Sequence, residues 1–272
     1  MGVGGQAPLV IFPETEEETV SAARELYACG IRFITVGSAS NTIFSDSGFE
    51  GAVIKTNGMK NIELKNGSLT CSAGVTLPKL CRFAASNGFG GFHGLCGIPG
   101  TVGGSAMTAA GAFGCNIYDN ITACKIYFPK TDKTETVQLC SRHFGYRKSP
   151  LHGNEGIILS VSFRPPIEDS AAILKKMETC TQKRTASQPK GERSAGSFFK
   201  RPENGIAAAF LIDQAGMKGY RIGGAQISGK HAGFIINLGN ATEKDIRELS
   251  NAVKSRVFEK FGIKLTEEVM FI

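Results

Sequence analysis

A cluster of glycines between Asn87 and Asn116 is the part of this sequence best suited to bind a ligand through its backbone. Positions 88 to 114 hold ten of the 34 glycines in the 272-residue chain. Such a cluster costs backbone entropy unless the chain needs left-handed conformations or the close approach of a partner. The intervening residues include Ala, Thr, Ser and Ile, unlike the polar residues of a disordered linker. Bare amides here could cradle an anion such as a diphosphate, and tight turns between strands are the alternative.

Neither common nucleotide-binding glycine pattern fits this cluster. No Lys stands where the pattern GxxxxGK[ST] requires one. The stretch GFGGFH from Gly88 has two glycines of GxGxxG but lacks the third, and it follows a predicted helix instead of a strand. A P-loop enzyme and a standard dinucleotide-binding dehydrogenase are therefore disfavoured. Another way of holding a diphosphate with main-chain amides remains.

The composition argues against several other classes of protein. The net charge is +7, but Lys and Arg are dispersed and there is no Trp, so a positive cleft for a small polyanion explains the charge as well as nucleic acid does. The eight Cys include no CxxC pair, so we expect no metal site. The sequence has no apolar run of membrane-spanning length and no signal-like N-terminus. We expect a cytoplasmic protein with neither a nucleic-acid nor a membrane partner.

The patterns of apolar and turn residues predict a mixed α and β chain. Thr15 and Glu18 predict a capping box at the start of a helix that ends near Gly30, and Thr76 with Pro78 predicts a second helix. Further helices are predicted over 168–185 and 205–216 and after Thr242. Strands are predicted at 8–12 (buried), 31–36, 51–56, 68–74, 121–128, 135–139, 156–163, 231–239 and 263–272, and residues 194–202 are predicted as a strand that runs into a turn.

Six blocks, in one order along nearly the whole chain, resemble the motifs of the UDP-N-acetylenolpyruvoylglucosamine reductase family. One such block would be weak evidence, whereas six in order are strong. The blocks are GSASNTIFSDSGFEGAVI (37–54), GIPGTVGG (97–104) with AGAFG (110–114), FGYRKS (144–149), SAGSFFKRP (194–202), AGMKGYRIGGAQISGKHAGFIIN (215–237) and LTEEV (265–269).

The resemblance implies a function and a fold. The function is reduction of the enolpyruvyl ether of UDP-N-acetylglucosamine to UDP-N-acetylmuramate for peptidoglycan, with bound FAD and with NADPH as hydride donor. The fold is α+β, of the vanillyl-alcohol-oxidase (PCMH) type. Two small FAD-binding lobes are expected at 1–56 and 57–166, and a third, α+β substrate-binding domain at 167–272. The first lobe looks truncated at its N-terminus. The short span from Arg147 to Gln188 is similar to the subtype without an extra substrate-capping loop, and we expect a monomer.

The resemblance also implies roles for individual residues. Arg147 matches the catalytic Arg, Ser197 the proton donor and Glu268 the catalytic Glu of the family. Tyr146, Arg201, Lys218 and His231 are expected on the substrate. Lys230 is a further candidate for phosphates, while Arg164 and Arg184 are expected to be surface or structural residues. The expected FAD-binding residues are Gly37, Ser38, Ala39, Ser40, Asn41, Gly97, Ile98, Pro99, Gly100, Thr101, Gly103, Gly104, Gly111 and Gly114.

The chain departs from the family pattern at several of these positions. Ala109 stands where the family usually has Asn, Phe113 where it has Tyr, Arg201 where it has Asn, and Glu267 where it has Pro. The first block has fewer glycines than usual, although its amides can still bind FAD. Two alternatives stay open: a flavin-dependent oxidase of the same fold, and an FAD-binding relative with impaired catalysis.

Overall fold

The computed structural model describes residues 1–153 and 155–272, and the chain divides into two compact units. The first, the glycine-loop unit, consists of Pro8–Ser38 and Glu50–Arg184. The second, the C-terminal unit, consists of Met1–Ala7, Ala39–Phe49 and Thr185–Ile272. The expected FAD segment 37–41 thus starts in one unit and ends in the other. The division into three domains at residues 56 and 166 stays a prediction.

Short strands and six α-helices make up the described chain. The helices are α1 (Glu16–Ala28), α2 (Leu77–Ser86), α3 (Val102–Thr108), α4 (Ser170–Ser187), α5 (Ala208–Gln214) and α6 (Glu243–Phe261). The strands are β1 (Leu9–Ile11), β2 (Phe33–Val36), β3 (Thr42–Ile43), β4 (Ala52–Lys55), β5 (Ile62–Lys65), β6 (Ser68–Ser72), β7 (Gly111–Ala112), β8 (Cys115–Asn116), β9 (Ile121–Phe128), β10 (Lys133–Gln138), β11 (Ile157–Phe163), β12 (Arg193–Ser197), β13 (Arg221–Ile222), β14 (Ala225–Ile227), β15 (Phe234–Asn237) and β16 (Met270–Phe271).

The glycine-loop unit contains two larger sheets. One is parallel with the order β1-β4-β2, and the other is antiparallel with the order β10-β9-β11-β6-β5. The predicted burial of the first strand is wrong, because β1 lies at an edge and leaves Leu9 45% and Val10 40% exposed. Strand β11 runs through the middle of the larger sheet and is buried along almost its whole length. This sheet and the glycine-rich segments share one apolar core.

The start of α1 confirms the predicted cap in part. Thr15 Oγ1 accepts a hydrogen bond from the amide of Glu18 at 3.1 Å, as an N-cap does. The carboxylate of Glu18, however, accepts from the amide of Glu14 at 2.7 Å, so the reciprocal half of a capping box is not made. Gly30 follows the helix with φ of 66°, the left-handed conformation that favours glycine.

A hairpin in the larger sheet was missed although its signal is in the sequence. Strands β5 and β6 are joined by Asn66 and Gly67 alone, with Lys65 paired to Ser68. Both loop residues have positive φ, 51° and 74°. Asn-Gly is the preferred dipeptide for such a two-residue turn because these residues tolerate left-handed backbone at little cost.

The C-terminal unit is built on an antiparallel sheet with the order β12-β15-β14-β13, beside α5 and α6. Helix α6 confirms the predicted cap: Thr242 Oγ1 accepts from the amide of Asp245, and Asp245 accepts from the amide of Thr242. Its apolar stripe from Ile246 to Val257 is buried in the core of this unit. None of the helices in the described residues is long and apolar enough to cross a membrane.

The predicted strand over 263–272 is only partly formed, because the segment changes its partner midway. Residues 266–268 bond to the chain after β12: Lys200 N donates to Thr266 O and Glu268 N donates to Phe198 O, each at 2.8 Å. Residues 270–271 then pair in parallel with β3. The segment therefore forms two short pairings with different elements in place of one continuous strand.

Candidate active site

The glycine-rich stretch contains a helix that the sequence analysis did not predict. Thr101 caps α3, and its Oγ1 accepts from the amide of Gly104 at 3.4 Å. The amide of Gly103 donates to Ala73 O at 2.9 Å, and that of Val102 donates to Val75 O at 2.8 Å. The first amides of α3 are therefore used inside the protein, and in this conformation those of Gly103 and Gly104 are not spare donors for an anion.

Close packing explains why two positions of the expected FAD-binding segments, Gly37 and Gly103, are occupied by glycine. A Cβ on Gly103 would lie 2.7 Å from the Cβ of Ala73, below any ordinary contact distance. A Cβ on Gly37 would overlap Thr101 Oγ1. The first expected FAD segment thus touches the second where Gly37 meets the cap of α3. The absence of a side chain is what permits the contact.

The segment from Ser38 to Asn41 keeps its backbone donors available. Among the described residues, none of its four amides donates a hydrogen bond to a protein group. Ala39 has a left-handed φ of 50°, and its carbonyl accepts from the amide of Thr42 at 3.4 Å. Successive free amides around a left-handed residue form the kind of concavity that binds phosphate oxygens. This segment fits a diphosphate better than the start of α3 does.

Left-handed backbone at residues other than glycine occurs mainly in the expected ligand-binding segments. Such conformations cost free energy and accumulate at functional sites, where surrounding contacts hold them. Asn66 and Asp132 lie in the turns of two hairpins. The others among the described residues are Ala39 (50°), Ala109 (49°), Phe113 (50°) and Arg147 (54°).

Ala109 is the clearest of these cases. It ends α3 in the left-handed conformation and is 1% exposed. Asn tolerates this backbone better than Ala does, because its short amide can bond locally. The Asn that the family usually has at this position therefore has a conformational reason, and this chain holds the same conformation with Ala.

Arg147 sits at the tip of a tight turn beside the glycine-rich stretch. Gly145 and Lys148 exchange backbone hydrogen bonds of 2.9 and 3.0 Å, which leaves Tyr146 and Arg147 between them. Arg147 Nη1 donates to the carbonyl of Ala109 at 3.2 Å. Its guanidinium carbon lies 5.1 Å from the centroid of the Tyr146 ring, at cation–π distance. The structure thus brings the expected catalytic Arg to the end of α3.

Ser197 ends β12 next to an irregularity in the sheet. The register between β12 and β15 shifts between Ser194 and Ser197, and Gly196 inside the shift has φ of 78°. A bulge with a left-handed glycine redirects the next side chain, and bulges are common beside active sites. Ser197 is exposed. The glycine of SAGS therefore explains how this serine is presented.

The two neighbouring glutamates of LTEEV have different surroundings. Glu267 Oε1 accepts from Lys254 Nζ at 2.6 Å and from Ser250 Oγ at 2.9 Å, both on α6. Burial alone would raise the pKa of Glu267, but these hydrogen bonds outweigh it and hold the pKa below its usual value. Glu267 is thus bonded to helix α6, whereas the resemblance implies a catalytic role for its neighbour Glu268.

The backbone of Glu268 is held from two sides. Its amide donates to the carbonyl of Phe198, the residue after Ser197, at 2.8 Å. Its carbonyl accepts from Asn41 Nδ2 at 3.0 Å, and the amide of Met270 donates to Asn41 O at 2.9 Å. Ser197 and Glu268 therefore lie on bonded neighbouring segments. The Asn41 side chain therefore helps to fix the segment that carries Glu268.

The chain is similar to known proteins over nearly its whole length. The chain is 37% identical to UDP-N-acetylenolpyruvoylglucosamine reductase of Caldicellulosiruptor saccharolyticus over 99% of its own length and 87% of the relative's. Identity to the Thermosipho melanesiensis protein of the same name is 38%, over 98% and 90%. The crystal structure of UDP-N-acetylenolpyruvylglucosamine reductase from Thermus caldophilus matches with a TM-score of 0.82 and 34% identity, over 99% of this chain and 94% of that one.

The chain belongs to the UDP-N-acetylenolpyruvoylglucosamine reductase family. The sequence profile of that family's C-terminal domain matches residues 188–272, and the profile of an FAD-binding domain matches residues 7–136. The expected α+β FAD-binding fold is thereby confirmed, as is FAD as the cofactor. The FAD profile includes both the segment 37–41 and the glycine-rich stretch.

The residues expected to bind the substrate differ in exposure and in charge. Tyr146 is 52% exposed, and Arg201 and Lys218 are exposed cations. His231 Nδ1 accepts from the amide of Gly233 at 3.1 Å, and burial lowers the pKa of the ring. His231 is therefore neutral near pH 7 and can offer one N–H bond but no charge.

Lys230, the further candidate for phosphates, is bonded to the protein through its side chain. Lys230 Nζ donates to the carbonyl of Thr185 at 2.6 Å, which occupies one of its donors. In the described residues, no three His, Cys, Asp or Glu side chains lie close enough together to hold a metal ion.

Proposed function

We propose that this chain is an FAD-containing, NADPH-dependent reductase that converts UDP-N-acetylglucosamine enolpyruvate to UDP-N-acetylmuramate for peptidoglycan synthesis. The observation that carries the proposal is 37% identity over 99% of the chain to a protein named for this reaction. The match of residues 188–272 to the family's C-terminal domain supports it, because that region holds Ser197 and Glu268. An oxidase of the same fold has no comparable support.

The cofactor would be held from both expected segments. The free amides from Ser38 to Asn41 suit the FAD diphosphate, and the loop from Gly97 to Gly100 would offer the cofactor two positions without side chains. Within the glycine-loop unit, Gly37 packs against Thr101. When bound, FAD supplies the two-electron chemistry between NADPH and the substrate.

Arg147 would bind the substrate carboxylate. As the carbon β to that carboxylate gains a hydride, negative charge builds up on the carboxylate oxygens. A planar guanidinium can donate two parallel bonds to those oxygens, which Lys cannot do. Fixing the guanidinium in advance is what makes such stabilisation effective. The contacts of Arg147 with Ala109 O and Tyr146 support this role because they restrict its position.

Ser197 would donate the proton that completes the reduction. A hydroxyl is a weak acid in water, so this role requires a fixed position and a neighbour that stabilises the oxygen after transfer. The bulge at Gly196 supports the first requirement. Glu268 would polarise the substrate near the same carbon, and the bond from its amide to Phe198 O keeps it on the segment next to Ser197.

The UDP diphosphate would be bound by the exposed cations Arg201 and Lys218, with Tyr146 against the sugar or flavin. Lys218 Nζ lies 3.5 Å from Asp213 Oδ2, an exposed pair that is easily exchanged for a phosphate. His231 would contribute a neutral donor only. We further propose that the protein is a cytoplasmic monomer, since its substrate class is a soluble sugar nucleotide.

The proposal is tested by the spectrum and turnover of the purified protein. We expect a bound flavin with absorbance near the ordinary flavin bands, and NADPH oxidation that requires the enolpyruvyl sugar nucleotide. An oxidase would instead form hydrogen peroxide steadily with a simple alcohol and ignore the sugar nucleotide. A folded protein that binds no flavin after incubation with FAD would overturn the proposal.

A further inference from the structure

Arg184 packs against the glycine-rich stretch, although the sequence alone predicts a surface or structural residue. It lies in the last turn of α4 and is only partly exposed. Its Nε and Cδ atoms lie 2.5 and 2.6 Å from the position that a Cβ on Gly97 would take. Its guanidinium carbon is 5.2 Å from the centroid of the Phe113 ring. One side chain therefore touches both halves of the glycine-rich stretch.

The surroundings of Arg184 remove part of the water from its guanidinium group. Burial lowers the pKa of Arg184, and the nearby thiols of Cys96 and Cys180 act in the opposite direction. Arg nevertheless stays protonated in proteins, so a desolvated cation stands beside this loop. A cation that has lost part of its water interacts more strongly with an anion than one on the surface does. Because Gly97 has no Cβ, it leaves room for the Arg184 side chain.

We propose that Arg184 is a further cofactor-binding residue, whose guanidinium contacts an anionic group of FAD. This rests on the proposed function, since it assumes that FAD occupies the glycine-rich stretch. Two parts of FAD carry suitable charge: the diphosphate, and the flavin ring once reduced and deprotonated. Arg suits either group because its fork donates to two acceptors at once.

The competing explanation is that Arg184 only braces the loop. A brace would act through packing against Gly97 and Phe113, and would do so with or without cofactor. The two roles differ in what they predict for cofactor affinity and redox potential, since a brace has no electrostatic preference for FAD or for its reduced form. Loss of the packing contacts would lower the stability of the apoprotein under both explanations, so apoprotein stability does not distinguish them.

The test compares Arg184→Met, which keeps length and loses charge, with Arg184→Lys, which keeps charge and loses the fork. Lys175→Met, at an exposed position of the same helix, is the matched control. FAD is titrated into each apoprotein by flavin fluorescence, and the two-electron midpoint potential is measured by dye equilibration. Folding is checked by circular dichroism.

A diphosphate contact predicts at least tenfold weaker FAD binding in Arg184→Met, an intermediate loss in Arg184→Lys and an unchanged potential. A ring contact predicts a tenfold loss of preference for reduced over oxidised flavin, or a potential about 30 mV lower. Wild-type affinity and potential in folded Arg184→Met overturn the proposal, and if that variant does not fold, wild-type values in Arg184→Lys overturn it. Absence of FAD binding by the wild type would instead refute the proposed function.

Discussion

Substitutions of the neighbouring glutamates Glu267 and Glu268 should separate an effect on folding stability from an effect on turnover. The substitutions Glu267→Gln and Glu268→Gln remove one negative charge each, at adjacent positions and with almost no change in shape. Glu267 is bonded to Lys254 and Ser250, whereas Glu268 occupies the position of the family's catalytic Glu. We expect Glu267→Gln to lose stability and keep turnover. We expect Glu268→Gln to keep stability and lose turnover.

The magnitude for Glu267→Gln follows from its bonds. Gln still accepts hydrogen bonds from Lys254 and Ser250, so only the charge-assisted part is lost. Charged hydrogen bonds contribute about 1.5–3 kcal/mol and neutral ones about 0.5–1.5, so the difference is roughly 1 kcal/mol at neutral pH. That corresponds to about 2–4 °C in Tm for a chain of this size class.

The difference should depend on pH with a definite sign. The pKa of Glu267 is lowered in the folded chain, so its carboxylate adds stability above the unfolded pKa of about 4.3. That contribution is lost as the pH falls through the folded pKa, because the carboxyl is then protonated in both states. The stabilities of wild type and Glu267→Gln should therefore differ at pH 7 and converge in acid.

Urea unfolding at several pH values, together with steady-state turnover, measures both effects. Glu268→Gln should unfold within about 0.5 kcal/mol of the wild type and lose at least tenfold in kcat, as is usual for removal of a catalytic group. The reasoning is refuted if Glu267→Gln is the inactive variant, or if its instability is the same at acid and neutral pH.

Three further predictions address separate parts of the site. Ser197→Ala should leave flavin reduction by NADPH intact and slow reoxidation by the sugar nucleotide, while Ser194→Ala on the same strand changes neither; equal loss in both half-reactions would rule out proton donation. Gly103→Ala should cost about 1–3 kcal/mol in urea unfolding through overlap with Ala73, whereas Gly104→Ala, with its nearest atom at 3.4 Å, should be neutral or stabilising. Asn41→Ala should cost about 1 kcal/mol by releasing Glu268 O; weaker FAD binding with unchanged stability would contradict this structural role.

Most elements could be predicted from the sequence because local patterns determine them. The caps at Thr15 and Thr242 and the eight-residue strand β9 follow from side chains a few positions apart. Helix α3 could not be found in this way. Its glycines suppress the helical signal, and its start is set by carbonyls of Ala73 and Val75 that lie distant in sequence.

The candidate site shows the same limit. Motif resemblance selected Arg147, Ser197 and Glu268, but it gave no reason for the glycines around them or for the different surroundings of the two glutamates. Those reasons are tertiary: an Arg184 side chain against Gly97, and a Lys254 on α6 against Glu267. Contacts across such sequence distances leave no periodic or spacing signal, so only the folded chain reveals them.

The most direct test of the central claim is an anaerobic half-reaction. The purified protein is saturated with FAD, reduced with one equivalent of NADPH until the flavin absorbance is bleached, and then mixed with UDP-N-acetylglucosamine enolpyruvate. We predict that the flavin absorbance returns with one equivalent of UDP-N-acetylmuramate formed per flavin. A flavin that stays reduced with this substrate but is reoxidised by oxygen would contradict the assignment.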